Sequence, residues 1–227
     1  MRLSFYIAVL AMIFSAAFAL KSLPMVFVVG DSISMQYGPY LEAYLKGTAS
    51  YQRKIDNAGV DPELGVPEVN GGDSRMVLEY LKAKTKDPEF KPDYLLLNCG
   101  LHDIKRDVET KQLQVPENNY QENLEAVVEL LASRNIQVIW VRTTAVIDSI
   151  HNSKSKRFHR FAADLEAYNK IADQVMASNH IPVIDLYTFT WNLGVEQFMD
   201  HVHYHDEARK LQAAFIAVHL RSLISDL

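Results

Sequence analysis

Short apolar runs alternate with longer stretches of helical period along this chain. Residues 25–29 (Met-Val-Phe-Val-Val) form an unbroken apolar run, rich in β-branched side chains and closed by Gly30, which predicts a strand buried on both faces. A helix follows over 32–45, with Gly38-Pro39 weakening or bending its first turns. Residues 51–57 form a less regular strand, and 56–72 a long loop carrying Gly59, Pro62, Gly65, Pro67, Gly71 and Gly72. The spacing of Val77, Leu78 and Leu81 predicts a helix over 74–85, and 94–99 is a second buried strand ended by Gly100. Tyr120, Leu124, Val127 and Leu131 mark an amphipathic helix over 116–133, with Pro116 suited to its first turn. A strand over 136–141 comes next, then a helix over 158–177 with Phe161, Leu165, Tyr168, Ala172 and Val175 on one stripe. A strand over 181–186 precedes a closing helix over 206–222, whose Leu211, Phe215 and Val218 are expected to face the core. Strands apolar on both faces, alternating with helices, predict one doubly wound, flavodoxin-like α/β domain: about five parallel strands with helices on both faces.

Composition narrows the possibilities. The 227 residues are enough for one sizeable core. With 23 basic and 28 acidic residues, a net charge of −5 and no basic block, nucleic acid is not an expected partner. Cys99 is the single cysteine, so an intrachain disulfide is excluded, and its apolar neighbours mark it as a buried small residue. Arg2 precedes an apolar run to Leu20 that closes on Ala17-Phe18-Ala19, a small-x-small pattern suited to signal peptidase. This predicts a signal peptide over 1–19, a domain over 20–227 with no membrane span, and a secreted or periplasmic location. An uncleaved anchor is the alternative, since about 18 apolar residues nearly cross a bilayer.

In such folds, ligands bind outside the carboxyl ends of the strands. Four polar clusters are expected there: Gly30-Asp31-Ser32-Ile33, Asn70-Gly71-Gly72-Asp73-Ser74, Asn98-Cys99-Gly100-Leu101-His102-Asp103 and Asp200-His201-Val202-His203-Tyr204. A serine between a strand and a helix is well placed as a nucleophile, because its N–H lies at the positive end of the helix. The same serine could simply cap that helix.

Order and spacing across the chain distinguish the two, because the four clusters resemble the blocks of SGNH (GDSL-type) hydrolases over essentially the whole mature chain. Gly30-Asp31-Ser32-Ile33 resembles the nucleophile block, and Gly72-Asp73-Ser74 the block whose glycine N–H joins the oxyanion hole. Gly100-Leu101-His102-Asp103 resembles the Gly-x-Asn-Asp block, and Asp200-His201-Val202-His203 the Asp-x-x-His block; Thr143-Thr144 and Tyr168-Asn169 are similar to the family less specifically. The resemblance implies a serine esterase working through an acyl-enzyme. Ser32 would be nucleophile, His203 general base and Asp200 its orienting partner, with the N–H groups of Ser32 and Gly72 receiving the oxyanion. One departure is clear: the family's asparagine donor is His102 here, with Asn98 as a nearby substitute.

His201, His203 and His205 could present three imidazoles to a metal, but no Cys, Asp or Glu cluster completes a ligand set, so neither metal nor cofactor is expected. The substrate expected of an extracytoplasmic member is an acetylated or short-acyl carbohydrate, or another small ester. A lipid or lysophospholipid ester, acyl transfer on the same scaffold, and a non-catalytic binding module are the alternatives. The segments 56–69 and 103–115 are expected to wall the pocket, and 151–157, with Lys154, Lys156 and Arg157, to be a basic rim or a solvated loop.

Overall fold

The structure, a computed structural model, describes residues 22–55 and 69–225. The 1–19 leader and most of the 56–72 loop lie outside the described residues.

In chain order the elements are β1 (Met25–Val29), α1 (Ser32–Leu45), β2 (Ser50–Arg53), α2 (Ser74–Lys84), β3 (Tyr94–Leu97), β4 (Arg106–Asp107) and α3 (Glu117–Ala132). Then come β5 (Gln137–Val141), α4 (Asp148–Lys154), β6 (Phe158–His159), α5 (Ala162–Ser178), β7 (Val183–Ile184), α6 (Leu186–Trp191) and α7 (Asp206–Ser225). Five strands pair in parallel in the order β2-β1-β3-β5-β7. Helices α1 and α7 pack together, while α2, α3 and α5 form a row. This is the doubly wound arrangement expected from the pattern, with the strand order reversing between β1 and β3. The β1, β3 and β5 side chains are almost wholly buried, which explains why these strands read as continuous apolar runs.

The register brings the strand ends together. Val29 pairs with Leu97, and the Asn98 N–H extends the ladder to the Val29 carbonyl at 3.0 Å. The residues following β1 and β3 therefore emerge side by side.

Four details differ from the sequence reading. Strand β7 is shorter than 181–186, because Pro182 has no N–H for the ladder and Asp185 caps a helix instead, accepting from the Thr188 N–H at 3.1 Å. The helix expected from 158 begins at Ala162. Asn152 clamps the extended Arg160 backbone, accepting from its N–H at 2.9 Å and donating to its carbonyl at 2.9 Å, so Phe158 and His159 pair with β4 instead. Residues 148–154 are helical, and His151 within them is buried, so this stretch is not a solvated loop.

The fourth difference is the face of α7. Leu211 and Val218 are 46% and 61% exposed, and Phe215 stacks on Phe189 of α6 at 4.1 Å. The buried stripe is Ala208, Gln212, Ala213, Ile216, Ala217 and Leu220. Small residues on that stripe let α7 approach α1 closely, and this outweighs the larger apolar stripe. Ala217→Leu should therefore destabilise the fold by about 1–3 kcal/mol through overpacking, whereas Val218→Ser should change it by no more than ~0.5 kcal/mol. Urea denaturation of both variants checks this; the reverse order would return α7 to its larger apolar face.

Candidate active site

Asp31 ends the turn after β1 and caps α1, its Oδ1 accepting the Ile33 N–H at 2.9 Å. Ser32 thus occupies the first helical position, and its N–H has no hydrogen-bond partner among the described residues. The Gly71 N–H donates to the Gly30 carbonyl at 2.8 Å, drawing the second cluster against the first. Gly72 has φ +72°, a conformation that favours glycine, and a Cβ there would push the Met76 side chain aside. Its N–H already donates to Asn70 Oδ1 at 2.9 Å. Asp73 caps α2 through the Met76 N–H at 3.0 Å. Buried Asp103 accepts the Ser74 N–H at 2.8 Å, tying the third cluster to the second.

The fourth cluster is presented by a tight hairpin in which Phe198 bridges to Tyr204. Within it, Asp200 Oδ1 accepts the N–H groups of Val202 and His203, both at 2.8 Å, which fixes the carboxylate before its second oxygen is used. That oxygen, Oδ2, lies 2.7 Å from His203 Nδ1, and His203 Nε2 lies 2.9 Å from Ser32 Oγ. Burial works to raise the Asp200 carboxyl, but the two N–H groups and the His203 ring outweigh it and hold the pKa at about 2. Asp200 is therefore an anion that only accepts, so the His203 proton sits on Nδ1 and the Nε2 lone pair faces the serine hydroxyl.

The two alternative side-chain donors separate cleanly. Asn98 Nδ2 donates to the Val141 carbonyl at 2.8 Å and to Thr143 Oγ1 at 3.0 Å, so both of its amide hydrogens brace the sheet end. His102 is buried, and its Nδ1 lies 3.2 Å from Lys105 Nζ. A lysine ammonium can only donate, so Nδ1 accepts and the His102 proton is carried on Nε2. Burial, with Lys105 and Arg160 nearby, holds the ring well below the usual imidazole pKa, and it is neutral at pH 7.

Two further residues of the site carry no signal in the sequence. Buried Arg160 donates through Nε to the Leu101 carbonyl at 2.7 Å, and its Nη1 lies 3.3 Å from His201 Nε2. Asp31 and Asp200 are the carboxylates whose fields act on it. His151 stacks on His201 at 4.2 Å. His201 is accordingly a packed member of the site and not a solvated neighbour, while His205 is exposed. No group of three or more His, Cys, Asp or Glu side chains converges to hold a metal ion among the described residues. Cys99 is buried, and burial pushes its thiol pKa well up.

Residues 28–220 match the model of the GDSL-like lipase/acylhydrolase family. The chain belongs to this family. Membership implies hydrolysis of esters. Among solved structures, the lipase/acylhydrolase from Enterococcus faecalis superposes with a TM-score of 0.67 at 18% identity, over 88% of this chain and 96% of that one. The acetyl xylan esterase AlAXEase gives 0.64 at 18% identity, over 86% and 99% of the two chains. The psychrotrophic esterase EstA from Pseudoalteromonas sp., in a structure inhibited by monoethylphosphonate, gives 0.60 at 14% identity, over 88% and 98%. At these identities the likeness is one of fold. No curated protein sequence matches the chain significantly.

In this GDSL family member the buried imidazoles should leave a signature on stability. Burial, with His151 alongside, lowers the His201 pKa from 6.5 to about 4. Between those values the unfolded chain takes up a proton that native His201 refuses. The stability His201 contributes is thus complete above pH 6.5 and lost as pH falls toward 4. Wild type should lose up to ~1.4 kcal/mol per pH unit relative to His201→Asn in that window. Parallel denaturation series from pH 7.5 to 5 check this, and a pH-independent difference would mean that native His201 titrates normally.

Proposed function

We propose that this chain is a serine esterase that removes acetyl or other short acyl groups from a carbohydrate. The observation that carries this is the unbroken relay from Ser32 Oγ to His203 Nε2 at 2.9 Å and from His203 Nδ1 to Asp200 Oδ2 at 2.7 Å. Ser32 attacks the ester carbonyl while His203 takes its proton, and Asp200 stabilises the resulting imidazolium. The tetrahedral oxyanion is received by the Ser32 N–H, by the Gly72 N–H and by His102 Nε2–H. Asn70 Oδ1 shares the Gly72 hydrogen or gives way to the substrate. His203 returns the proton to the departing alcohol, then activates the water that hydrolyses the acyl-enzyme.

The sugar reading draws support from the surface beside His102, where Lys105, Thr110, Gln112 and Gln114 line a cavity together with Leu113 and Phe158, a mixture of polar groups and an aromatic face that suits a sugar. The structural neighbour that is an acetyl xylan esterase has the same fold. The apolar leader ending in Ala17-Phe18-Ala19 favours action outside the cytoplasm. No described helix is long and apolar enough to cross a membrane.

Ser32→Ala should reduce turnover of p-nitrophenyl acetate by a factor on the order of 10⁴ to 10⁶. A fluorophosphonate should add its mass to the peptide containing Ser32 in wild type and to no peptide of the variant. Retention of more than a few per cent of wild-type turnover would remove Ser32 as nucleophile. Activity across p-nitrophenyl esters should fall as the acyl chain lengthens beyond butanoyl; a maximum at octanoyl or longer would favour the lipid-ester alternative.

The assignment of His102 has its own test. His102→Ala should lower kcat by about 10² to 10³ with little change in KM, as loss of one oxyanion donor does. His102→Asn should restore most of the loss. Full activity in His102→Ala would leave the oxyanion to the two backbone N–H groups.

A further inference from the structure

The β4–β6 pair and the 103–115 segment enclose a cavity of about 480 Å³ that the hydrolytic chemistry does not use. Two of its lining residues reach the groups around Ser32. Lys105 lines it and bonds His102 Nδ1 at 3.2 Å, and Gln114 lines it and donates to Asp73 Oδ2 at 3.4 Å, beside Gly72. A group held there would belong to a substrate whose ester lies at Ser32.

The cavity's lining carries more positive than negative charge. Lys105 and Arg157 both line it, and neither forms an ion pair among the described residues. Lys105 is half-buried, with its ammonium 4.9 Å over the Phe158 ring and no carboxylate within salt-bridge range. Burial and the repulsion of Arg160 push its pKa down to about 8, against the weaker pull of Asp73 and Asp103. The one carboxylate in the wall, Asp107, holds its own turn through Oδ1, which accepts the Glu109 N–H at 2.9 Å, the Thr110 N–H at 2.7 Å and the Thr110 hydroxyl at 3.0 Å; against the two cations it leaves the lining with positive charge in excess. One Lys105 hydrogen goes to His102, leaving two to donate. Removing a cation from water without a partner is unfavourable, and an anion of the right size repays it with charge-assisted bonds. Thr110, Gln112 and Gln114 add a hydroxyl and two amides suited to sugar hydroxyls.

We infer that this cavity is a subsite for an anionic substituent, a carboxylate or a phosphate, carried by the sugar portion of the substrate. The inference rests on the esterase reading for its link to catalysis, though the subsite can be tested without turnover. Titration calorimetry on the full chain would compare methyl β-D-glucuronide, glucose 6-phosphate and neutral methyl β-D-glucoside. At least one acid should bind about tenfold tighter than the glucoside, as one added charge-assisted contact allows. Whichever acid wins separates the carboxylate from the phosphate source. Arg157→Gln, at an exposed position that needs no repacking, should erase most of that preference. Equal affinities for acid and glucoside, no binding of either acid at millimolar concentration, or a preference untouched by Arg157→Gln would each overturn the subsite. The acetyl esters of the same sugars separate this from the broader reading. Selective binding without hydrolysis of any ester, p-nitrophenyl acetate included, supports the subsite while sinking the esterase. Hydrolysis of p-nitrophenyl acetate with no acid preference does the opposite.

Discussion

The pairing of β1 with β3 sets where every reactive group can stand. Once Val29 lies opposite Leu97, the Asn98 N–H completes the ladder on the Val29 carbonyl, and the next carbonyl, Gly30, receives the Gly71 N–H. Two backbone hydrogen bonds thus place the Ser32 turn, the Gly72 turn and the His102 segment around one point. The small residues at these positions follow from the crowding. A Cβ on Gly100, at φ +147°, would lie 2.9 Å from Thr143 Oγ1, and that hydroxyl is itself donated to the Cys99 carbonyl at 2.9 Å. Asn169 then donates to the Thr143 carbonyl at 3.0 Å, so α5 holds the end of β5 in the same lattice of bonds. The family's less specific residues, Thr143 and Asn169, serve the site by bracing its strand ends.

Charge inside this frame is arranged around Arg160. Its burial pulls its own pKa down to about 10, which still leaves it a cation at neutral pH. The buried Asp31 is raised by desolvation, and Arg160 and His203 act against that rise. Because Arg160 contacts the Leu101 carbonyl and His201, it joins the segment bearing His102 to the loop bearing Asp200 and His203. The neutral His201 accepts from it and adds no second positive charge beside the His203 imidazole. Asp200 can then be held by the hairpin's own N–H groups, so the relay does not depend on a distant cation for its orientation.

The parts legible in the sequence were those whose cause is local. Ser32 and Asp31 announce themselves at a strand-to-helix junction, and Asp200 and His203 share one loop three residues apart. The parallel sheet is written in the apolar runs of β1, β3 and β5. Arg160 was illegible because its partners lie at Leu101, Asn152 and His201, and no short pattern links them. The two-residue strands β4 and β6 are below the length at which alternation can be read. The α7 face was misread for a different reason. A stripe of Leu and Val looks buried by size, yet close helix packing against α1 selects the alanines. His201 carries no local sign of burial, because what packs on it, His151 and Arg160, comes from elsewhere in the chain.

His102 in place of asparagine makes sense only together with Lys105. An amide always presents N–H hydrogens, so asparagine needs no help to act as a donor beyond being turned the right way. A neutral imidazole has one hydrogen and two nitrogens, and a donor on one nitrogen decides where that hydrogen sits. The Lys105 ammonium on Nδ1 puts it on Nε2, and the same cation disfavours protonation of the ring. In the reading proposed here, the substitution goes together with a half-buried lysine next to the site, with hydrogens left over and no carboxylate within salt-bridge range. A cavity bearing unpaired positive charge is the natural consequence beside such a lysine. On that reading the altered oxyanion donor and the anionic subsite would be two results of one residue, Lys105. An anion bound to Lys105 would keep it protonated and so hold the His102 tautomer in its donating form.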